Sequence, residues 1–298
     1  MTTPRIIMGC MRIAGMSPSD LDKLINIAME NNAHFFDHAD IYAKGECERV
    51  FGKAVKSAKI PRDKMIIQTK CGIRPGIMFD FSKEHILDSV DKSLQRLETD
   101  HVDYLLLHRP DTLVESEEVA EAFTTLHKAG KVKNFGVSNQ NPGQMALLSK
   151  YLTGPLAIKA NQLQLSPTNT GMIDAGINVN MENPPAINRD GGVLEYCRLH
   201  DITIQAWSPF QYGFFEGVFL GSDKYPELNK EIDNLAEKYK ATPEAIVIAW
   251  ILRHPAKMQA IPGTTNLERF KGICGAYKVE MTREEWYVIY RSAGNVLP

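Results

Sequence analysis

Four residues sit at or just beyond the ends of short apolar runs, and together their types would move a proton onto an oxygen. Asp37 closes "AHFFD", Tyr42 follows five residues later, Lys70 ends "KMIIQTK" and His108 ends "VDYLLLH". A phenol with its ordinary pKa of about 10 is a poor acid near neutrality. A neighbouring ammonium stabilises the phenolate and lowers that value. Lys70 would supply the ammonium, Asp37 would keep it charged and held, and His108 would hydrogen-bond a carbonyl oxygen beside the tyrosine. Such a site suits a reaction that places negative charge on a carbonyl oxygen. Plainer readings exist: Asp37 as a turn cap, and Lys70 as a solvated strand end. None of the usual metal-ligand spacings is present, so no metal is expected.

These residues can meet only if the chain brings several strand ends to one place. The apolar runs are 5–9, 33–37, 64–70, 102–108, 132–139, 156–162, 202–208 and 258–263. Helix-like stretches lie between them. "SPSDLDKLINIAMENN" opens with Ser and Pro start signals and puts Leu21, Leu24, Ile25 and Ala28 on one face. "SKEHILDSVDKSLQRL" repeats the design, and "TPEAIVIAWILRH" is apolar enough to be buried on most sides. Eight strand–helix alternations predict an α/β fold with a parallel sheet, closed as a (β/α)8 TIM barrel over residues 1–298 as one domain. In such a barrel the active site lies at the C-terminal ends of the strands. The strand interiors read as apolar, while the ends are polar, titratable or aromatic. Two longer loops are expected, at 163–190 and 210–226.

Composition narrows the class. With 44% hydrophobic and 23% charged residues and a formal net charge of -2, the chain reads as a globular enzyme with no basic footprint for nucleic acid or a membrane surface. No apolar stretch approaches the roughly 18 residues a membrane span requires, and the N-terminal run is too short for a secretory signal. A cytoplasmic enzyme acting on a small molecule, monomeric or weakly homo-oligomeric, is expected. The five cysteines form no C-x-x-C pair and read as packed thiols rather than a disulfide framework.

Taken in order, "FFDHADIYAKGECERVFGKAV", "IIQTKCG", "DYLLLHRPD", "FGVSN", "ANQLQLSP", "QAWSPF" and "AIPGTTNLERF" resemble successive motifs of the aldo-keto reductases. The resemblance runs over nearly the whole chain and implies NADPH-dependent reduction of an aldehyde or ketone to an alcohol. It also implies a catalytic tetrad of Asp37, Tyr42, Lys70 and His108. By position, Ser138, Asn139 and Gln162 would hold the carboxamide of the nicotinamide, and Trp207 would stack on its ring. Ser208, Pro209 and Phe210 would approach the pyrophosphate, with Met11 and Arg12 along the first strand's edge. Gly263, Thr264, Thr265 and Arg269 would take the adenosine-phosphate end. The family's extended cofactor needs no dinucleotide fingerprint, and no G-x-G-x-x-G occurs here. Gly263 stands where many members have lysine, and Met11 where tryptophan is frequent.

Two other readings use the same residues. Lys70 as a Schiff-base nucleophile would make the barrel an aldolase. An NADPH-binding, redox-sensing regulatory subunit would keep the cofactor site without needing turnover.

Overall fold

A computed structural model describes residues 3–298. Eight parallel strands form one sheet: β1 (Met8–Gly9), β2 (Phe35–Asp37), β3 (Ile66–Cys71), β4 (Val102–Leu107), β5 (Val132–Ser138), β6 (Ile158–Gln164), β7 (Thr203–Trp207) and β8 (Gln259–Ile261). The sheet closes on itself. Ile6 bridges Ala260, and the amides of Ile7 and Gly9 donate to the carbonyls of Ala260 and Pro262 at 2.8 and 3.0 Å. The expected (β/α)8 barrel is therefore the observed one.

Helices follow the expected signals. Ser17 caps α1 (Pro18–Glu30), accepting from the Asp20 amide, and the helix buries Leu21, Leu24, Ile25 and Ala28. α2 (Glu46–Ser57) and α3 (Lys83–Leu97) lie unusually close. A Cβ on Gly52 would come within 2.6 Å of the Leu97 carbonyl carbon. α4 (Ser116–Lys128), α5 (Pro142–Ser149), α6 (Gly171–Ile177), α7 (Val193–Leu199) and α8 (Pro226–Tyr239) continue the outer ring. α9 (Pro243–Arg253) is buried from Ala245 through Leu252, as its apolar sequence implies. Its Trp250 stacks on Trp286 of α11 (Arg283–Ser292) at 4.8 Å, and each indole N–H donates to the other's carbonyl. α10 (Leu267–Cys274) begins just beyond β8.

The two long connections are partly structured. The one after β6 contains α6 and a short turn at Pro184–Ala186. The one after β7 folds back as an antiparallel ribbon pairing Gln211–Tyr212 with Gly217–Val218. A second ribbon, Ile73–Arg74 with Met78–Phe79, follows β3. All five cysteines are buried. Among the described residues no helix is long and apolar enough to cross a membrane.

The expectation of apolar strand interiors is wrong on the face that points into the barrel. Side chains alternate along a strand, so Phe35 and Asp37, or Ile66, Gln68 and Lys70, share that inner face. Part of that face is apolar, with Ile7, Phe35 and Ile261 packed against Ile66 and Tyr104. The same face carries a layer of buried amides. Gln68 and Gln205 exchange side-chain bonds at 2.9 and 3.1 Å, and Gln205 also donates to Gln259 at 3.0 Å. Each amide finds partners, which is the condition for burying it without a net penalty.

Candidate active site

The amide layer is the floor of the site. Gln68 and Gln162 donate to Oδ1 of Asp37 at 2.6 and 3.0 Å, which leaves Oδ2 for Lys70 Nζ at 2.8 Å. Lys70 is completely buried and Asp37 nearly so. The ammonium has three N–H donors, and all three are occupied: by Asp37, by the His38 carbonyl at 2.8 Å and by Tyr42 Oη at 3.1 Å. Burial pulls the Lys70 pKa down, but Asp37 and Tyr42 outweigh it and the net direction is upward. Lys70 is a fixed cation.

Tyr42 sits on the wall of a cleft, its ring half-buried and its hydroxyl at the deep end beside Lys70. Burial raises its pKa, Lys70 pulls it back and Asp37 raises it again, for a net rise. This corrects the expectation of a lowered phenol pKa. In the free protein the tyrosine is a neutral hydroxyl, and Lys70 limits the cost of ionising it rather than ionising it outright. The His108 ring stands edge-on to Tyr42, with centroids 5.9 Å apart at 81°. Burial, with the fields of Lys70 and Arg109, holds its pKa well below the usual histidine value, so the imidazole is neutral. Its buried Nδ1 has no partner among the described residues.

Local backbone conformation aims these groups. Directly after Tyr42 come Ala43, Lys44 and Gly45 with φ of 48°, 56° and 86°, three successive left-handed residues of which only the glycine adopts that conformation without steric cost. The turn is braced from behind. Glu48 of α2 is fully buried, accepting from Thr69 Oγ1 at 2.6 Å and pairing with Arg96 Nε of α3 at 2.7 Å. Thr69 immediately precedes Lys70, so this bond ties the α2 end of the turn to the strand that carries the lysine. Asp40, in the same turn region, has its pKa raised to about 7 by burial and then by Glu48. Asn139 and Ser208, just past β5 and β7, are also left-handed, with φ of 57° and 51°. Strained strand ends of this kind gather at functional sites.

The cleft has a volume of about 710 Å³, and every residue singled out from the sequence lines it except Lys70, which lies beneath. A chain of bonds crosses its floor from β5 to β7. The Trp207 indole donates to Asn139 Oδ1 at 3.2 Å, Asn139 Nδ2 to Ser138 Oγ at 2.7 Å, and Ser138 Oγ to the Gln162 carbonyl at 3.1 Å. Phe215, from the ribbon after β7, lies nearly parallel to Trp207 with centroids 5.8 Å apart. At the other end Arg12 Nη1 donates to the Gly263 carbonyl at 3.2 Å, and Arg269 Nε meets Glu244 at 3.2 Å with its side chain about half exposed.

Sequence reasoning missed several contributors. The glutamine floor was signalled by Gln68, Gln205 and Gln259 in otherwise apolar runs, and Glu48 by a carboxylate on the apolar face of α2. Arg109, next to His108 on the cleft wall, had no signal beyond its position.

A barrel with a buried Asp–Lys–Tyr cluster and a histidine at the mouth defines a class that sequence comparison identifies. The model of the aldo/keto reductase family matches residues 5–292, and the chain belongs to that family. Among its relatives, oxidoreductase YdhF of Escherichia coli K12 is 34% identical over 299 residues, covering 97% of this chain and 93% of that protein. The 6-dehydroglucose reductase of Agrobacterium fabrum is 33% identical over 302 residues, covering 97% and 94%. In fold, the chain resembles the crystal structure of an aldo-keto reductase from Klebsiella pneumoniae in complex with NADPH, with a TM-score of 0.77 at 23% identity over 97% of this chain and 90% of that one.

Proposed function

We propose that the protein reduces an aldehyde or ketone to an alcohol with NADPH, and that Tyr42 is the proton donor. The observation that carries this is the contact of Tyr42 Oη with an ammonium whose other two hydrogens are already committed. Because Lys70 donates to the phenol oxygen, the phenol's own proton is free to point into the cleft.

The cleft fits a dinucleotide phosphate on its own terms. Thr264, Thr265 and Arg269 line it at the start of α10, where backbone N–H groups and the helix dipole favour an anion. A Cβ on Gly263 would approach Arg12 Nη1 to 3.0 Å, so glycine leaves room between the guanidinium and the strand end. Ser138, Asn139 and Gln162 would hold the carboxamide, Trp207 would face the nicotinamide, and Met11, Ser208, Pro209 and Phe210 would line the path between the two ends. When bound, NADPH supplies the hydride that reduces the carbonyl carbon.

The chain's own residues handle the oxygen. Neutral His108 orients the carbonyl by donating its single N–H. As negative charge develops on that oxygen, Tyr42 gives it a proton, and the resulting phenolate is stabilised by Lys70 at 3.1 Å. Asp37 keeps the ammonium charged, and the glutamine floor keeps Asp37 in register. The same geometry weighs against a Schiff-base role. That role needs a neutral amine open to substrate, whereas Lys70 is buried, triply bonded and held protonated. A screen of aldehydes, ketones and dicarbonyls that follows NADPH consumption, with NADH as control, tests the reading. No carbonyl-dependent oxidation of NADPH across such a panel would refute it.

A further inference from the structure

Charges along the cleft are compensated except at two places. Asp37 is neutralised by Lys70, and Glu244 meets Arg269. The remaining cations are Arg12, held to the Gly263 carbonyl at the phosphate end, and Arg109. Arg109 follows His108 directly, which puts it at the reacting end. Among the described residues it has no carboxylate partner and no side-chain hydrogen bond. Its guanidinium carbon lies 5.9 Å from the Trp207 ring and 5.8 Å from that of Phe214. These contacts orient a planar cation, but they satisfy none of its five N–H donors.

A guanidinium on the cleft wall whose donors no protein group uses is available to a ligand. Its surroundings describe that ligand. Trp207 and Phe215 line the cleft beside it together with Ile41 and Ile73, and Phe214, itself largely exposed, packs edge-on against both aromatic rings. From these observations we propose that Arg109 is a substrate-specificity residue, and that the preferred substrate is a carbonyl compound with an apolar body and an anionic group, of which a carboxylate matches the guanidinium fork best. The inference rests on the reductase reading and narrows it. Arg109 anchors the anion through paired N–H···O bonds, and the aromatic rings cover the body of the substrate. The carbonyl is thereby delivered to Tyr42 and His108.

The probes are 4-carboxybenzaldehyde and its neutral methyl ester, assayed with the full chain and NADPH. The expected result is a kcat/KM at least about tenfold higher for the carboxylate. Arg109→Gln should shrink that ratio by roughly tenfold, toward equal treatment of the two aldehydes and mainly through KM, as expected for losing a charge-assisted bidentate contact. Arg109→Lys should recover part of it. Benzoate titrated into the protein and read by tryptophan fluorescence gives a second readout that needs no turnover. It should bind the wild type more tightly than the Arg109→Gln variant. Equal treatment of the two aldehydes by the wild type, an unchanged ratio in Arg109→Gln, or a loss confined to NADPH affinity would each overturn the proposal. If neither aldehyde is reduced, the reductase reading falls, and the benzoate comparison still decides whether Arg109 is an anion site.

Discussion

Replacing Lys70 with methionine keeps most of the side chain's volume and deletes its charge, so the effect separates electrostatics from packing. Asp37 would keep the amides of Gln68 and Gln162 on Oδ1, while Oδ2 would lose its partner at 2.8 Å in a site only 3% exposed. Stranding one member of a buried ion pair costs about 3–5 kcal/mol. For 298 residues at roughly 2.1 cal/mol/K each, the unfolding entropy is about 0.6 kcal/mol/K, so the melting temperature should fall by about 5–8 °C. Adding Asp37→Asn removes the stranded charge but still offers Gln68 and Gln162 an acceptor. The double variant should therefore melt higher than Lys70→Met alone. Both should lose carbonyl reduction by about 10²-fold or more, because the developing phenolate has lost its cation. Differential scanning calorimetry at neutral pH decides the stability part. A fall of less than about 2 °C in the single variant, or a double variant less stable than the single, would refute the reasoning.

Other expectations follow from the same geometry. Arg269→Ala should weaken NADPH binding by about tenfold and leave NADH nearly untouched, as isothermal titration would show, since only the former carries the 2′-phosphate that a guanidinium grips. If the nicotinamide faces Trp207, NADPH should quench part of the intrinsic fluorescence, and that part should vanish in Trp207→Ala; quenching that survives would place the ring elsewhere. Asp40, with its pKa raised to about 7 against an unfolded value of about 3.9, contributes stability in full below pH 4 and loses it as pH rises through 7. Asp40→Asn should remove this dependence, so its thermal stability relative to wild type should improve between pH 5 and pH 8 by up to about 2.5 kcal/mol; parallel curves would show that Asp40 does not titrate there.

The barrel was legible because each strand is a short apolar run and several helices carry a start signal. Ser17 before Pro18 and Thr242 before Pro243 both cap helices as their order suggests. The four chemistry-bearing residues were legible because they break the apolar pattern at strand ends, where a parallel barrel gathers side chains. Gln68, Gln205 and Gln259 were less so. A strand flanked by helices on one side and the barrel interior on the other looks apolar on average, and only the period-two alternation shows which face a lone amide occupies. The direction of the Tyr42 shift could not be read at all, because it depends on how burial compares with the field of Lys70. The pairing of Glu48 with Arg96 was equally hidden. It arises where Gly52 lets α2 and α3 approach, a contact between residues 48 apart in the chain.

The central claim is that Tyr42 donates the proton in an NADPH-dependent carbonyl reduction, and Tyr42→Phe addresses it most directly. The variant removes one hydroxyl and keeps the ring that lines the cleft. Measured side by side with wild type, on whichever carbonyl the wild type turns over best, the reduction rate should fall by roughly 10²–10⁴-fold. The dissociation constant for NADPH should stay within about threefold, a difference of less than 1 kcal/mol. A Tyr42→Phe protein that keeps near-normal turnover would contradict the account, because among the described residues no other hydroxyl shares a contact with the buried ammonium of Lys70.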